Sequence, residues 1–212
     1  HYIVICGLTG TAKTDLIKEI KRQQGQALDL EGLAQHRGSV LGYDPNARQP
    51  SQKKFETKIW HELKKLDQTR PVFIESESKK IGDLRIPEPL ISAFRQGFCI
   101  NITADINKRT DYLKQNYAHL ILEPSTLAIQ LNKLRSRHGN SGVDFWLDLI
   151  SKGNWDEFIR DLLQKHYDAS YSKSMQKNFH TFLEAPNYQL DTLSHDALSS
   201  TVEAILSNYS TI

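Results

Sequence analysis

Apolar positions along this chain follow two rhythms. Nearly unbroken apolar runs at 2–6 (YIVIC), 26–30 (QALDL), 71–75 (PVFIE) and 98–103 (FCINIT) predict buried strands. Between them the spacing changes to three and four. Leu16, Ile17 and Ile20 share one face of a helix from Lys13 to about Lys21. Phe55, Ile59 and Leu63 stack along a second helix that Pro50-Ser51 would start. PEPLISAFRQG (87–97) predicts a short helix ending at glycine, and a further helix after the fourth run carries Arg109, Tyr112 and Leu113. From about 124 to 179 the pattern is helical with no strand in it. YQLDT (188–192) predicts a last strand, and Ser194 would cap a closing helix with Leu198, Val202, Ile205 and Leu206 turned inward.

Strands alternating with helices, and strands apolar on both sides, imply an α/β fold: a three-layer, kinase-like parallel sheet with helices on both faces. We expect one domain over 1–212, with 124–179 as a helical insertion or lid and 186–212 as the closing strand and helix. In such sheets ligands bind outside the carboxyl ends of the strands.

Composition adds bounds. The 212 residues are 39% hydrophobic and 25% charged, in the range of globular proteins, and no apolar run reaches the roughly 18 residues of a membrane helix. Two cysteines, Cys6 and Cys99, both fall in predicted buried strands with no metal-like spacing around them, so no protein-only metal site is expected. A reduced, cytoplasmic setting follows. The chain opens directly on a strand-like segment, so the N-terminal part of a longer protein is expected to precede it. The net charge of +2 is uneven: residues 180–212 hold four acids and no Lys or Arg, so that stretch carries −4 and the remainder +6. Within 48–65, six basic residues (Arg48, Lys53, Lys54, Lys58, Lys64, Lys65) face two acids. Such a run is ordinarily a solvated helix face, and the sharper alternative is a patch facing phosphate or RNA.

The chemistry gathers at predicted strand ends. CGLTGTAKT (6–14) follows the first strand and approaches the phosphate-loop pattern G-x-x-x-x-G-K-[ST] (Walker A), with Ala12 where the last glycine belongs. Backbone groups over Gly7, Thr9, Gly10, Thr11 and Ala12 would surround a phosphate, Lys13 would reach its terminal oxygens, and Thr14 would hold Mg²⁺. Residue 12 is expected to have right-handed helical dihedrals, in which case alanine costs nothing. Glu75 or Glu77, ending the 71–75 strand, would supply the Mg²⁺-side carboxylate. Asp29, Glu31 and the loop His36-Arg37-Gly38-Ser39 follow the second strand and could hold an anion. Arg109, Arg135 and Arg137 lie where a lid could bring guanidinium groups to phosphates.

Together these segments resemble one family. GLTGTAKT, LDLEGLAQHRGSVLG, QPSQKKFE, ESESKKIG and HYDASY are similar to the P-loop domain of tRNA 2-selenouridine synthase, over residues 2–171. The resemblance implies a cytoplasmic transferase that converts wobble 2-thiouridine of tRNA to 2-selenouridine. It would do so through an S-geranyl intermediate, using geranyl diphosphate and then selenophosphate. It also implies a preceding rhodanese-like domain carrying the catalytic cysteine, a role that Cys6 and Cys99 do not inherit, so the catalytic residues stay unknown here. The shared segments bring Gln52, Lys53, Ser78, Lys79 and Lys80 into the set of anion-binding candidates. The departure is Ala12, where the family has glycine. On this reading the loop, with Mg²⁺, holds a diphosphate rather than hydrolysing ATP. ATP or GTP remain the ligands of two other readings: a small-molecule or nucleoside kinase with Asp29 or Glu31 as base, and a non-catalytic nucleotide- or tRNA-binding module.

Overall fold

The computed structural model describes residues 1–39, 41–42 and 47–209. Residues 210–212, at the end of the expected closing segment, and Val40 of the Arg37 loop segment lie outside the described residues. Five strands form one parallel sheet: β1 (Tyr2–Gly7), β2 (Gln26–Leu28), β3 (Val72–Glu75), β6 (Phe98–Ala104) and β7 (Asn187–Leu190), in spatial order β2-β3-β1-β6-β7. β1 lies at the centre, with Ile5 opposite Glu75 of β3 and Gly7 opposite Ile102 of β6. Alternation along β1 feeds two cores. Ile3 and Ile5 pack against α1 (Lys13–Arg22) and α11 (His195–Tyr209) on one face. Val4 and Cys6 pack on the other face with Phe55 and Ile59 of α3 (Gln52–Lys64) and Leu90 and Phe94 of α4 (Glu88–Arg95). The sheet is therefore covered on both sides, as its continuous apolar strands require.

Two local features differ from the sequence pattern. The second strand ends at Leu28, because Asp29 turns to cap α2 (Leu30–Ala34) by accepting the Gly32 N–H at 2.7 Å. A small antiparallel hairpin, β4 (Lys80–Ile81) and β5 (Leu84–Arg85), follows the third strand and turns at Gly82, whose φ is 58°. Its two-residue strands are too short and polar to leave a periodic signal. The region after β6 is helical: α5 (Ile106–Asn116), α6 (Ala118–Leu122), α7 (Pro124–Asn132), α8 (Arg135–Ser151), α9 (Trp155–Leu162) and α10 (Ala169–Asn178). α8 is broken at Gly139, and one π-helical turn, Leu163–Asp168, joins α9 to α10. These helices share a third core around Leu131, Val143, Trp146 and Leu163. No helix among the described residues is long and apolar enough to cross a membrane.

Candidate functional site

The loop between β1 and α1 is held by close backbone approach. A Cβ on Gly7 would sit 2.6 Å from the Ile102 carbonyl oxygen and 2.7 Å from Thr11 Oγ1, so only glycine fits. Thr11 Oγ1 donates to the Leu8 carbonyl at 2.9 Å, and Gly10 takes a φ of 85° against Arg109. Ala12 departs from the expectation for it: its φ is 59° and ψ 29°, in the left-handed region. The missing glycine therefore has a cost, of order 1–2 kcal/mol of backbone strain. The methyl group is buried, in the core with Leu16 and Ile17, which offsets part of that cost. No side chain caps the start of α1, so its first N–H groups are left for an anion.

Lys13 Nζ folds back to donate to the carbonyls of Gly7 (2.8 Å) and Leu8 (3.2 Å), and lies 5.5 Å from the centre of the Tyr171 ring. Thr14 Oγ1 lies 2.9 Å from Glu31 Oε2 and 2.8 Å from Glu75 Oε1. One hydroxyl proton cannot serve two carboxylates, so this pair needs a further proton or a cation. Burial, with Thr14 and Lys13 opposing, raises the Glu31 pKa. Burial, then the charges of Glu31 and Glu77, push Glu75 well above the usual range. Glu77 is raised to about 8 by burial and by Glu31. The second oxygen of Glu75, Oε2, is buried without a partner. Thr14, Glu31 and Glu75 thus fit a divalent cation: a hydroxyl, two clustered carboxylates and one open oxygen.

Glu77 lines the same cavity although β3 ends at Glu75, in a tight turn in which its N–H donates to the Glu75 carbonyl at 2.7 Å. Gly38, with φ 67°, packs against both acids; a Cβ there would lie 3.0 Å from Glu31 Oε1 and from Glu77 Oε2. Arg37 lines the cavity, donates to the Asn116 carbonyl at 2.7 Å and stacks 4.7 Å over Tyr117. Ser39 lines it as well.

Other candidates fall elsewhere. Arg109 is buried behind the loop rather than in front of it. Its Nε donates to the Thr9 carbonyl at 2.8 Å, and its terminal nitrogens grip Asp168 at 2.6 and 3.1 Å. It ties the loop to the π turn, and its burial against Thr9 and Asp168 takes it out of a lid's task. Arg135 pairs with Asp144 (2.7 Å), and Arg137 donates to Ser170 (2.5 Å). Lys79 pairs with Glu88, Lys80 stands 3.9 Å from Asp83, and Ser78 donates to the Lys80 carbonyl, all on the exposed hairpin. Gln52 binds Glu56 and the Arg85 backbone, Lys53 is exposed on α3, and His36 lies outside the cavity.

Sequence reasoning did not single out Asp15, Tyr112, Leu113, Asn116, Tyr117 or Tyr171 for the cavity, yet all line it. The one available signal was HYDASY, which contains both Tyr171 and Asp168. A second cavity adjoins the first, sharing Thr9, Ser39, Leu113 and Tyr117 as walls with it. Its remaining wall is apolar, from Leu41, Leu120, Ile121, Leu127, Trp155, Phe158, Ile159, Leu162, Leu163 and Tyr167.

Comparison with known proteins places this geometry. The tRNA 2-selenouridine synthase from Aeromonas salmonicida is 36% identical over 121 residues, which is 56% of this chain and 31% of that protein. The tRNA 2-selenouridine synthase from Alcanivorax borkumensis is 32% identical over 208 residues, covering 85% of this chain and 56% of that protein. The matched segments thus span 31% and 56% of these relatives' own lengths. Among solved structures, shikimate kinase from Bacteroides thetaiotaomicron aligns with a TM-score of 0.38 at 12% identity, over 98% of this chain and 96% of that one. The family model described as "tRNA 2-selenouridine synthase AAA domain" matches residues 1–139, the segment that carries the sheet's centre, the phosphate loop and the carboxylate cluster. By that match the chain belongs to the tRNA 2-selenouridine synthase AAA-domain family.

Proposed function

We propose that this domain is the diphosphate-binding part of a transferase that geranylates the wobble 2-thiouridine of tRNA and then exchanges the S-geranyl group for selenium from selenophosphate. The observation that carries the reading is the pair of adjoining cavities, one lined by the Thr9–Thr14 loop and the other by hydrocarbon. A diphosphate with an apolar tail matches both halves. A nucleotide would place a polar base against Phe158, Leu162 and their neighbours, and leave its hydrogen-bonding groups unpaired. Lys13 and the start of α1 would hold the diphosphate, and Thr14, Glu31 and Glu75 would hold Mg²⁺. When bound, Mg²⁺ supplies positive charge beside the leaving oxygens.

The transfer forms a bond from the uridine sulfur to the allylic carbon and breaks that carbon's bond to oxygen. Diphosphate leaves with the electron pair, and the base loses its N3 proton. Lys13 stabilises the charge that develops on the leaving group. The apolar wall keeps water from the allylic carbon. The tRNA, a rhodanese-like domain and a cytoplasmic setting belong to this reading. So does selenophosphate, which would use the same phosphate cradle.

A thermal-shift series tests it. Geranyl diphosphate with Mg²⁺ raises Tm, Lys13→Ala abolishes the shift, and Leu162→Asp abolishes it while sparing a smaller shift with inorganic diphosphate. Absence of any shift with geranyl diphosphate, or turnover of ATP with a small-molecule acceptor, would overturn the proposal.

A further inference from the structure

The outward face of α3 takes no part in the site, yet its chemistry is specific. Phe55 and Ile59 turn inward to the core, which leaves Lys53, Lys54, Trp60, His61, Lys64 and Lys65 exposed. Among the described residues the ion pair on this helix is Lys65 with Glu62, at 2.6 Å. Among the described residues Lys53, Lys54 and Lys58 have no carboxylate partner, and Lys64 sits 4.3 Å over the Trp60 ring. Trp60 is 52% exposed, whereas Trp146 is buried at 1%. Its ring borders a groove with Tyr2, Leu63, Pro87, Pro89 and Leu90. The acids nearby are already engaged: Glu56 by Gln52 at 2.7 Å, Glu62 by Lys65, and Glu88 by Lys79. The face is therefore a net basic array around an exposed indole, with Glu56, held only by the neutral Gln52 amide, as the one carboxylate among the described residues lining the groove.

Its placement gives the array a direction. The Gln52 side chain bonds both the N–H and the carbonyl of Arg85, at 2.9 and 2.8 Å, which ties the first turn of α3 to the hairpin that follows Glu77. α3 thus starts on the rim of the site and carries its lysines away from it, about 16 Å along the axis from Lys54 to Lys65. The far end of the chain offers no such surface, since residues 180–212 contain no Lys or Arg.

We propose that this face of α3 is an RNA-binding surface, with strand phosphates on Lys53, Lys54, Lys58 and Lys64 and an unstacked base laid on Trp60 in the groove. Charge complementarity decides for RNA: the lysines need a polyanion, and an indole between them supplies the stacking platform that single-stranded nucleic acid uses. The RNA meant is the tRNA of the proposed function, and the inference rests on that reading.

The test is binding of an in vitro transcribed tRNA to the 212-residue chain across a salt series. Lys54→Glu/Lys58→Glu/Lys64→Glu should weaken binding by about tenfold or more and lower the salt slope by roughly 0.7–0.9 per lysine. Trp60→Ala should weaken it by about fivefold or more with little change of slope. Both variants should keep the wild-type Tm shift with geranyl diphosphate, which shows that they fold and separates this surface from the diphosphate site. Wild-type tRNA affinity in both variants overturns the surface and leaves the proposed function standing, as does a loss no larger than that of Lys133→Glu/Lys152→Glu/Lys173→Glu. If the wild-type chain binds no tRNA, the surface and the tRNA part of the proposed function fail together. A Trp60-dependent dimer in gel filtration would assign the groove to a second copy and overturn RNA as its occupant.

Discussion

Removing Arg109 distinguishes a ligand-binding arginine from a structural one. Its side chain is 4% exposed and Asp168 is 22% exposed, so the pair is nearly dry. The guanidinium donates three hydrogen bonds, to the Thr9 carbonyl at 2.8 Å and to the Asp168 carboxylate at 2.6 and 3.1 Å. Breaking one side of a fully buried pair costs about 3–5 kcal/mol, and partial access of water to Asp168 brings the expectation for Arg109→Met to about 3 kcal/mol. For a chain of this length that is about 6–12 °C of Tm. Asp168→Asn turns one accepting oxygen into a donor and strips the buried guanidinium of its countercharge, so it should cost about 3 kcal/mol as well. In a double-mutant cycle with Asp168→Leu, Arg109→Met should show a coupling of about 1–3 kcal/mol. Urea unfolding followed by tryptophan emission measures each leg. The reasoning fails if Arg109→Met unfolds at the wild-type midpoint while losing the Tm shift with geranyl diphosphate, since Arg109 would then be spending its charge on the ligand.

Two further outcomes follow from the same geometry. Ala12→Gly releases about 1–2 kcal/mol of left-handed strain but loses about 0.8 kcal/mol of methyl burial and the chain-entropy advantage of alanine, so unfolding free energy should move by less than about 1 kcal/mol. A urea midpoint shift equivalent to more than 2 kcal/mol in either direction would show that this balance is misjudged. His166, 2.8 Å from His138, is lowered to about 4 by burial and by the charges of Arg137 and His138. It folds neutral, so its contribution is complete above the unfolded histidine value near 6.5 and disappears as pH falls through about 4. At pH 5 the wild-type chain should have lost about 2 kcal/mol on this account relative to pH 8. His166→Asn should lose correspondingly less over the same interval, and equal pH slopes for the two proteins would rule the histidine out.

Local order was legible in the sequence because it is written over short distances. Continuous apolar runs and spacings of three and four residues separate strands from helices, and the loop from Gly7 to Thr14 is contiguous. Glu75 was legible as an acid closing a buried strand, and Gly38 and Ser39 as a loop after another. These features need only neighbours along the chain. The hairpin at Lys80–Arg85 was not legible, because its pairing is decided by a turn at Gly82 and by Gln49 and Gln52 reaching across to it.

The tertiary structure decided whatever depends on convergence. The dihedrals of Ala12 are set by the loop's closure against Thr11 and Leu16, not by its position before Lys13. Arg109 looked free in sequence because its partner Asp168 stands 59 residues away. The apolar cavity draws on side chains from four separate helices and the π turn, and each of those residues, taken alone, is an ordinary core position. Sequence alone determined that a glycine-rich loop ending in Lys13-Thr14 follows the first strand and that an acid, Glu75, closes another buried strand. Only packing decided that a hydrocarbon pocket opens beside the loop, because a cavity is a property of the space between side chains and has no residue of its own.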